Sequence, residues 1–103
     1  LEDLLLLLVC SSSQLAKVKW GNLNNPPSTL VEISPTEYTD FTVDSIVNCN
    51  SVFPRSMQQI INKLAEGKLT LKAEMPLAIV DKLRQGVIDS PAVPEAQKRI
   101  IQV

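Results

Sequence analysis

Two segments of the chain resemble each other closely enough to constrain the fold, Ile60–Leu69 and Ile79–Ile88. Each holds a β-branched pair, a Lys-Leu step and a glycine near its end. Apolar residues around the first segment recur at the spacing of one helix face, beginning at Met57. The pattern therefore predicts two amphipathic helices whose apolar faces bury one another. The side chains expected at this contact are Met57, Ile60, Leu64, Val80 and Leu83.

Proline and glycine mark the expected ends of both helices. Pro54 and Pro76 fit the first helical turn, where the missing N–H of proline costs nothing. Gly67 and Gly86 are expected to end the helices, because glycine adopts the left-handed conformation that commonly follows a last turn.

Aromatic residues make up only 4% of the chain, which predicts an aliphatic core and favours helix packing over a β-sandwich. The fold predicted is mainly α: an irregular bundle of four or five short helices, or a fragment of a helical-repeat array. Residues 1–103 are expected to form a single domain. Because the chain begins with Leu1 rather than Met and its last helix lacks a cap, we expect a fragment of a larger protein.

Two segments leave the choice between helix and strand open, residues 36–49 and 68–75. Ser34–Glu37 has the residue order of a capping box with proline at the first helical position, which favours a helix over 36–49. Residues 68–75 alternate between apolar and polar side chains as a strand does, yet a lone strand has nothing to pair with. The alternative fold is a small α+β domain with strands near 29–33, 40–49 and 68–75.

An unbroken aliphatic run, Leu4–Val9, precedes Cys10 and a group of serines. It predicts a deeply buried first helix, with Glu2 and Asp3 near the positive end of the helix dipole. A short apolar run before a cysteine also resembles the end of a lipoprotein signal, although such a signal carries positive rather than acidic flanking charge. The run is too short for a transmembrane helix, which needs about 20 residues.

The absence of histidine is the firmest constraint on function. It excludes Ser-His and Cys-His nucleophile pairs and removes the commonest metal ligand. Whether Cys10 and Cys49 pair is left open. Glu37, Asp40 and Asp44 would share one face of a helix, and we expect that face to be solvated rather than metal-binding. We therefore predict no enzymatic activity, no cofactor and no metal site.

Charge is distributed unevenly along the chain. Residues 1–53 carry two basic side chains against six acidic ones, whereas residues 54–103 carry eight basic against five acidic. A basic surface in the second half would suit an acidic partner. The side chains predicted to bind a partner are Arg55, Lys63, Lys82, Arg84, Lys98 and Arg99.

These observations favour a non-enzymatic protein–protein interaction or scaffolding module whose partner is another protein. The first alternative is a helical nucleic-acid-binding domain that uses the basic C-terminal half. The second alternative is a lipoprotein subunit of an envelope assembly, processed at Cys10. The lack of an Asn-x-Ser/Thr acceptor favours an intracellular location.

Overall fold

A three-stranded antiparallel sheet, rather than a helix bundle, is the centre of the fold. The structure, a computed structural model, describes residues 5–102. It is a small α+β fold, 40% helical and 24% strand. The elements in chain order are β1 (Leu5–Ser12), α1 (Leu15–Gly21), a 3₁₀ turn (Pro27–Thr29), β2 (Leu30–Ile33), β3 (Ser45–Ser56), α2 (Met57–Ala65), α3 (Leu77–Asp89) and α4 (Glu95–Ile101).

The strand order is β1-β3-β2, so the long strand β3 pairs with both of its neighbours. β2 pairs with residues 45–48 of β3. β1 pairs with β3 in two stretches, and the register shifts between Val9, opposite Val52, and Cys10, opposite Asn48. Residues 49–51 of β3 therefore form a bulge with no partner in β1.

The bulge is held by a buried polar network. The amide nitrogen of Asn50 donates to Thr29 Oγ1 over 2.9 Å and to Asn48 Oδ1 over 3.1 Å. The amide oxygen of Asn50 accepts a hydrogen bond from the Ser90 hydroxyl. Thr29 and Ser90 are fully buried, so their bonds to Asn50 satisfy side chains that have lost their contact with water.

The core lies between one face of the sheet and α3. Ile33, Val47 and Cys49 belong to the same buried cluster as Ile79 and Val87 of α3. Burying one such aliphatic side chain stabilises a fold by about 1.5–3 kcal/mol relative to leaving it exposed. The core is largely aliphatic, as predicted, but about half of its residues come from the sheet rather than from helices.

Helices α2 and α3 lie on opposite faces of the sheet. Side chains alternate between faces along a strand, so Leu7 and Leu8 of β1 point to opposite sides. Leu7, but not Leu8, lines the cavity beside Val80 of α3, whereas Leu8, but not Leu7, lines the cavity beside Ile60 of α2. The predicted burial of the two helices against each other is therefore wrong, and α2 has no fully buried residue.

The prediction of a mainly α fold is wrong because two segments expected to be helical form strands. Within residues 36–49, the Glu37 carboxylate does accept from the Ser34 N–H, as in a capping box, but only a single turn forms. β3 begins at Ser45, where β-branched residues pair with two neighbouring strands. Strand pairing therefore stabilises this segment more than the capping box would stabilise a helix.

The apolar run at the N-terminus is a strand rather than a buried helix over Leu5–Val9, and Leu4 lies outside the described residues. A short continuous apolar run does not distinguish a strand from a buried helix by periodicity. Of the strands in the α+β alternative, that near 29–33 is confirmed as β2. The strand expected near 40–49 corresponds to β3, which begins later, at Ser45, and continues to Ser56. Residues 68–75 form no strand.

The expected helix boundaries are partly confirmed. Gly67 has a positive φ of 74° immediately after the C-cap of α2, Glu66, and Pro76 directly precedes α3. Pro54, in contrast, lies within β3 opposite Leu7, and Ser56 forms the capping box that starts α2. Gly86 does not end α3, which continues to Asp89. The two similar segments are therefore not structural repeats.

Gly86 is required because α3 passes very close to the bulge. A Cβ atom at this position would lie 2.8 Å from Cys49 Sγ and 2.9 Å from the backbone oxygen of Ser28. We expect Gly86→Ala to destabilise the protein, because overpacking of about 1–3 kcal/mol exceeds the gain in helix propensity of up to about 1 kcal/mol. Denaturant unfolding measures the difference.

The matched control is Gly21→Ala. Gly21 is the last residue of α1, and a Cβ atom there would meet nothing within 4 Å. We expect its free energy of unfolding to stay within about 0.5 kcal/mol of the parent protein. A Gly86→Ala protein as stable as the Gly21→Ala protein would contradict the close approach of α3 to β3.

Candidate functional site

The outer edge of β1 is the most unusual surface of the described chain. β1 is an edge strand, and among residues 5–102 no strand or side chain hydrogen-bonds the backbone on its outer side between Leu5 and Ser11. The strand carries no charged residue over its whole length. A long, uncharged edge is a template for pairing with another strand.

β2, the opposite edge of the sheet, differs from β1 in length and in charge. It spans only Leu30–Ile33 and carries the charged Glu32, which forms an ion pair with Lys19 over 2.8 Å. Short length and charge are the usual protections of an edge strand against pairing. The contrast marks β1 as the less protected edge, with α4 against it on the α3 side.

An apolar groove, here termed the α3-side groove, runs beside β1 on the face that packs against α3. Its volume is about 480 Å³. A smaller cavity of about 200 Å³ continues it toward Val87 and Ile101. The groove is lined by Leu7, Leu8, Val9, Ser11, Tyr38, Asp40, Phe41, Val47, Lys72, Met75 and Leu83.

One wall of the α3-side groove is the connector, residues 66–76, between α2 and α3. The Asp40 carboxylate accepts from the Ala73 N–H over 2.7 Å, and the Tyr38 hydroxyl donates to the Ala73 carbonyl. Burial raises the pKa of Tyr38 above its ordinary value, and the adjacent Asp40 carboxylate raises it further. The phenol therefore remains a proton donor and keeps the connector in place.

A second cavity, here termed the basic pocket, lies on the other face of the sheet beside α2. Its volume is about 290 Å³. Three apolar side chains line it, Leu8, Ile60 and Leu69, together with Gln59. Its charged lining residues are Arg55, Lys63 and Lys68. The arrangement combines apolar area with positive charge, which suits a ligand that has both apolar and anionic groups.

The structure brings together only two of the six predicted partner-binding residues. Arg55 and Lys63 line the basic pocket, which also includes Lys68. Arg84 lines the smaller cavity beside β1, and Lys82 lies in a separate groove with Glu32.

The last two predicted residues both lie in α4. Arg99 is exposed. Lys98 is only 8% exposed, with its ammonium group 3.6 Å from Glu95, so it presents little surface to a partner.

Neither cysteine is in a disulfide bond. Cys10 is an exposed free thiol and Cys49 a buried one. Burial raises the pKa of the Cys49 thiol to about 11, and the thiol lies 3.6 Å from the Leu83 carbonyl. No group of three or more potential metal ligands occurs among residues 5–102, and Asp40 is engaged with Ala73.

Sequence reasoning missed the open edge because it assigned Leu4–Val9 to a helix. The signal that could have found it is the lack of charge from Leu5 to Ser12, together with a later segment, residues 42–52, rich in β-branched residues that could pair with it. Lys68 and Lys72 were missed as site residues because only the fold places them beside β1.

Among residues 5–102, no helix has the length and hydropathy needed to cross a bilayer.

Removing the carboxylate that holds the connector should loosen it. In Asp40→Ala the Ala73 N–H loses its acceptor, so we expect faster tryptic cleavage after Lys68 and Lys72, two exposed residues of the connector. Timed digestion followed by mass spectrometry measures this rate. Asp44→Ala is the control, because Asp44 is an exposed aspartate of the same loop, whereas the Ala73 N–H donates to Asp40. Equal cleavage rates in the two variants would contradict the role of Asp40.

The two thiols should differ strongly in reactivity. At pH ~8 we expect the native protein to react with a thiol reagent at Cys10 alone, because Cys49 is buried and its thiolate is disfavoured. After denaturation in guanidinium both should react. Counting modified thiols by intact mass checks this, and two fast-reacting thiols in the native protein would show that the β3–α3 contact opens readily.

Comparison of the chain with protein-family models, with curated proteins and with solved structures gives no match. The functional interpretation therefore depends on the open edge of β1 and on the two cavities that flank it.

Proposed function

We propose that the chain is a protein-interaction module that binds an extended segment of another protein along the outer edge of β1. The observation that supports this proposal is the outer side of β1, where the backbone of Leu5–Ser11 has no partner among residues 5–102 and the strand carries no charged residue. An added strand would gain main-chain hydrogen bonds from β1, as in β-strand addition.

The surroundings of β1 supply places for the side chains of an added strand. Successive side chains of a strand point to opposite faces of a sheet. One set would enter the α3-side groove, where Leu7 and Val9 are half-buried, and the other would meet the basic pocket beside Leu8. Leu5 is 55% exposed and would lose contact with water in such a complex.

The two alternative functions remain predictions with less support. The six basic residues proposed to contact a partner lie in several separate places, and Lys98 is buried, so no single observation favours nucleic acid. Processing of a lipoprotein at Cys10 would remove Leu5–Val9, which pair with residues 52–56 of β3.

Fluorescence anisotropy with a labelled ten-residue peptide of alternating valine and threonine tests strand addition. Valine and threonine favour extended structure, and the peptide is neutral, so main-chain pairing and apolar contact alone determine binding. We expect saturable binding that is lost when alternate backbone nitrogens on one edge of the peptide are methylated, because that edge can then no longer donate. Equal binding by methylated and unmethylated peptides would contradict the proposal.

A pair of leucine variants locates the binding site. Leu8 lines the basic pocket beside β1, and Leu8→Thr keeps strand propensity while removing apolar area worth about 1 kcal/mol, so we expect peptide affinity to fall about fivefold. Leu71→Thr is the control, since Leu71 is 77% exposed and lines neither the α3-side groove nor the basic pocket. A cooperative thermal unfolding transition in both variants would show that each is folded.

A further inference from the structure

Positive charge surrounds β1 on both faces. Among the side chains that line the α3-side groove, its smaller continuation and the basic pocket, Asp40 is the one carboxylate. The cationic lining residues are Arg55, Lys63, Lys68, Lys72 and Arg84. The open edge therefore lies in a local excess of positive charge, although the whole chain has a formal net charge of −1.

Within residues 5–102, most of these cations have no carboxylate partner. Among the described residues, no carboxylate lies within ion-pair distance of Arg55, Lys63 or Lys72, whereas Lys68 pairs with Glu66 and Arg84 pairs with Asp81. The Asp40 carboxylate is engaged by the Ala73 N–H. Unpaired surface cations attract an anionic partner and accelerate its association.

The cationic side chains are also distributed unequally between the two faces of the sheet. On the α3 side, the lining of the groove and its continuation is largely apolar, with Lys72 and Arg84 as the cations. On the α2 side, three of the seven residues that line the basic pocket are cationic: Arg55, Lys63 and Lys68. Because a strand presents alternate residues to alternate faces, this distribution favours a partner whose apolar residues face α3 and whose acidic residues face α2.

We propose that the partner segment alternates apolar residues with aspartate or glutamate. The inference deepens the proposed function and rests on it, since the alternation has meaning only for a strand paired with β1. The acidic side chains lie against Arg55, Lys63 and Lys68, and the apolar ones fill the α3-side groove.

A set of labelled ten-residue peptides tests the chemistry of the partner. Valine alternates with glutamate in the first peptide, with lysine in the second and with threonine in the third, and polyglutamate serves as an anion without apolar residues. At ~50 mM salt we expect the valine–glutamate peptide to bind about tenfold more tightly than the valine–lysine peptide. The ratio should approach one at ~1 M salt, where the screening length falls to about 3 Å.

Two lysine variants locate the effect. Lys63 lies in α2 at the basic pocket, and Lys63→Glu should reduce affinity for the valine–glutamate peptide about threefold or more while leaving the valine–threonine peptide unaffected. Lys17→Glu makes the same change of charge at an exposed residue of α1 outside the pocket, and we expect little effect.

The outcomes separate this inference from the proposed function. Binding of the valine–threonine peptide with no preference for glutamate over lysine would overturn the inference and leave strand addition standing. Equal binding of polyglutamate and the valine–glutamate peptide would overturn it in favour of general attraction of anions. Absence of binding by any peptide, with a dimer in sedimentation velocity, would overturn both proposals and identify a second copy of the chain as the occupant of the edge.

Discussion

The bulge at residues 49–51 of β3 is the constraint on which the rest of the structure depends. Before the bulge, β3 pairs with both β1 and β2, and after it β3 pairs with β1 alone. Within the bulge, Cys49 is directed at Gly86 of α3, and Asn50 is bonded to Thr29 and Ser90. One irregular segment therefore sets the distance between sheet and helix and joins distant parts of the chain.

The same irregularity determines what the two edges of the sheet can do. Because β3 leaves β2 after Asn48 but continues beside β1 to Ser56, β2 stays short while β1 is long. The short edge carries an ion pair and the long edge carries none. β2 is therefore the edge protected against pairing with another strand. β1 lacks this protection and lies between the α3-side groove and the basic pocket.

Much of the helical structure could be predicted from the sequence. Periodicity identified α2 and α3, and Gly67 and Pro76 were assigned correctly as boundaries. The sheet could not be predicted, because pairing is decided between segments far apart in the chain. Local signals even favoured the wrong state, since the capping box at Ser34–Glu37 forms its hydrogen bond without starting a helix.

The candidate site was predicted only in fragments for the same reason. Arg55 and Lys63 were identified by charge alone, but their meeting with Lys68 beside Leu8 depends on the placement of α2 across the sheet. Lys98 shows the converse, because its charge placed it among the predicted partner-binding residues and the fold buries it. Charge in a sequence identifies candidates, and only packing determines which of them share a surface.

Pro54 has a consequence for how far the sheet can grow. It lies in the part of β3 that extends beyond β2, it has no N–H to donate, and its carbonyl oxygen accepts from the Arg55 guanidinium over 2.7 Å. An incoming chain therefore finds neither a donor nor a free acceptor at this point. With β2 short and charged, the native sheet has one extensible side, and open-ended fibril growth requires two. A complex of two copies joined through β1 would therefore close as a two-fold pair rather than propagate as a filament.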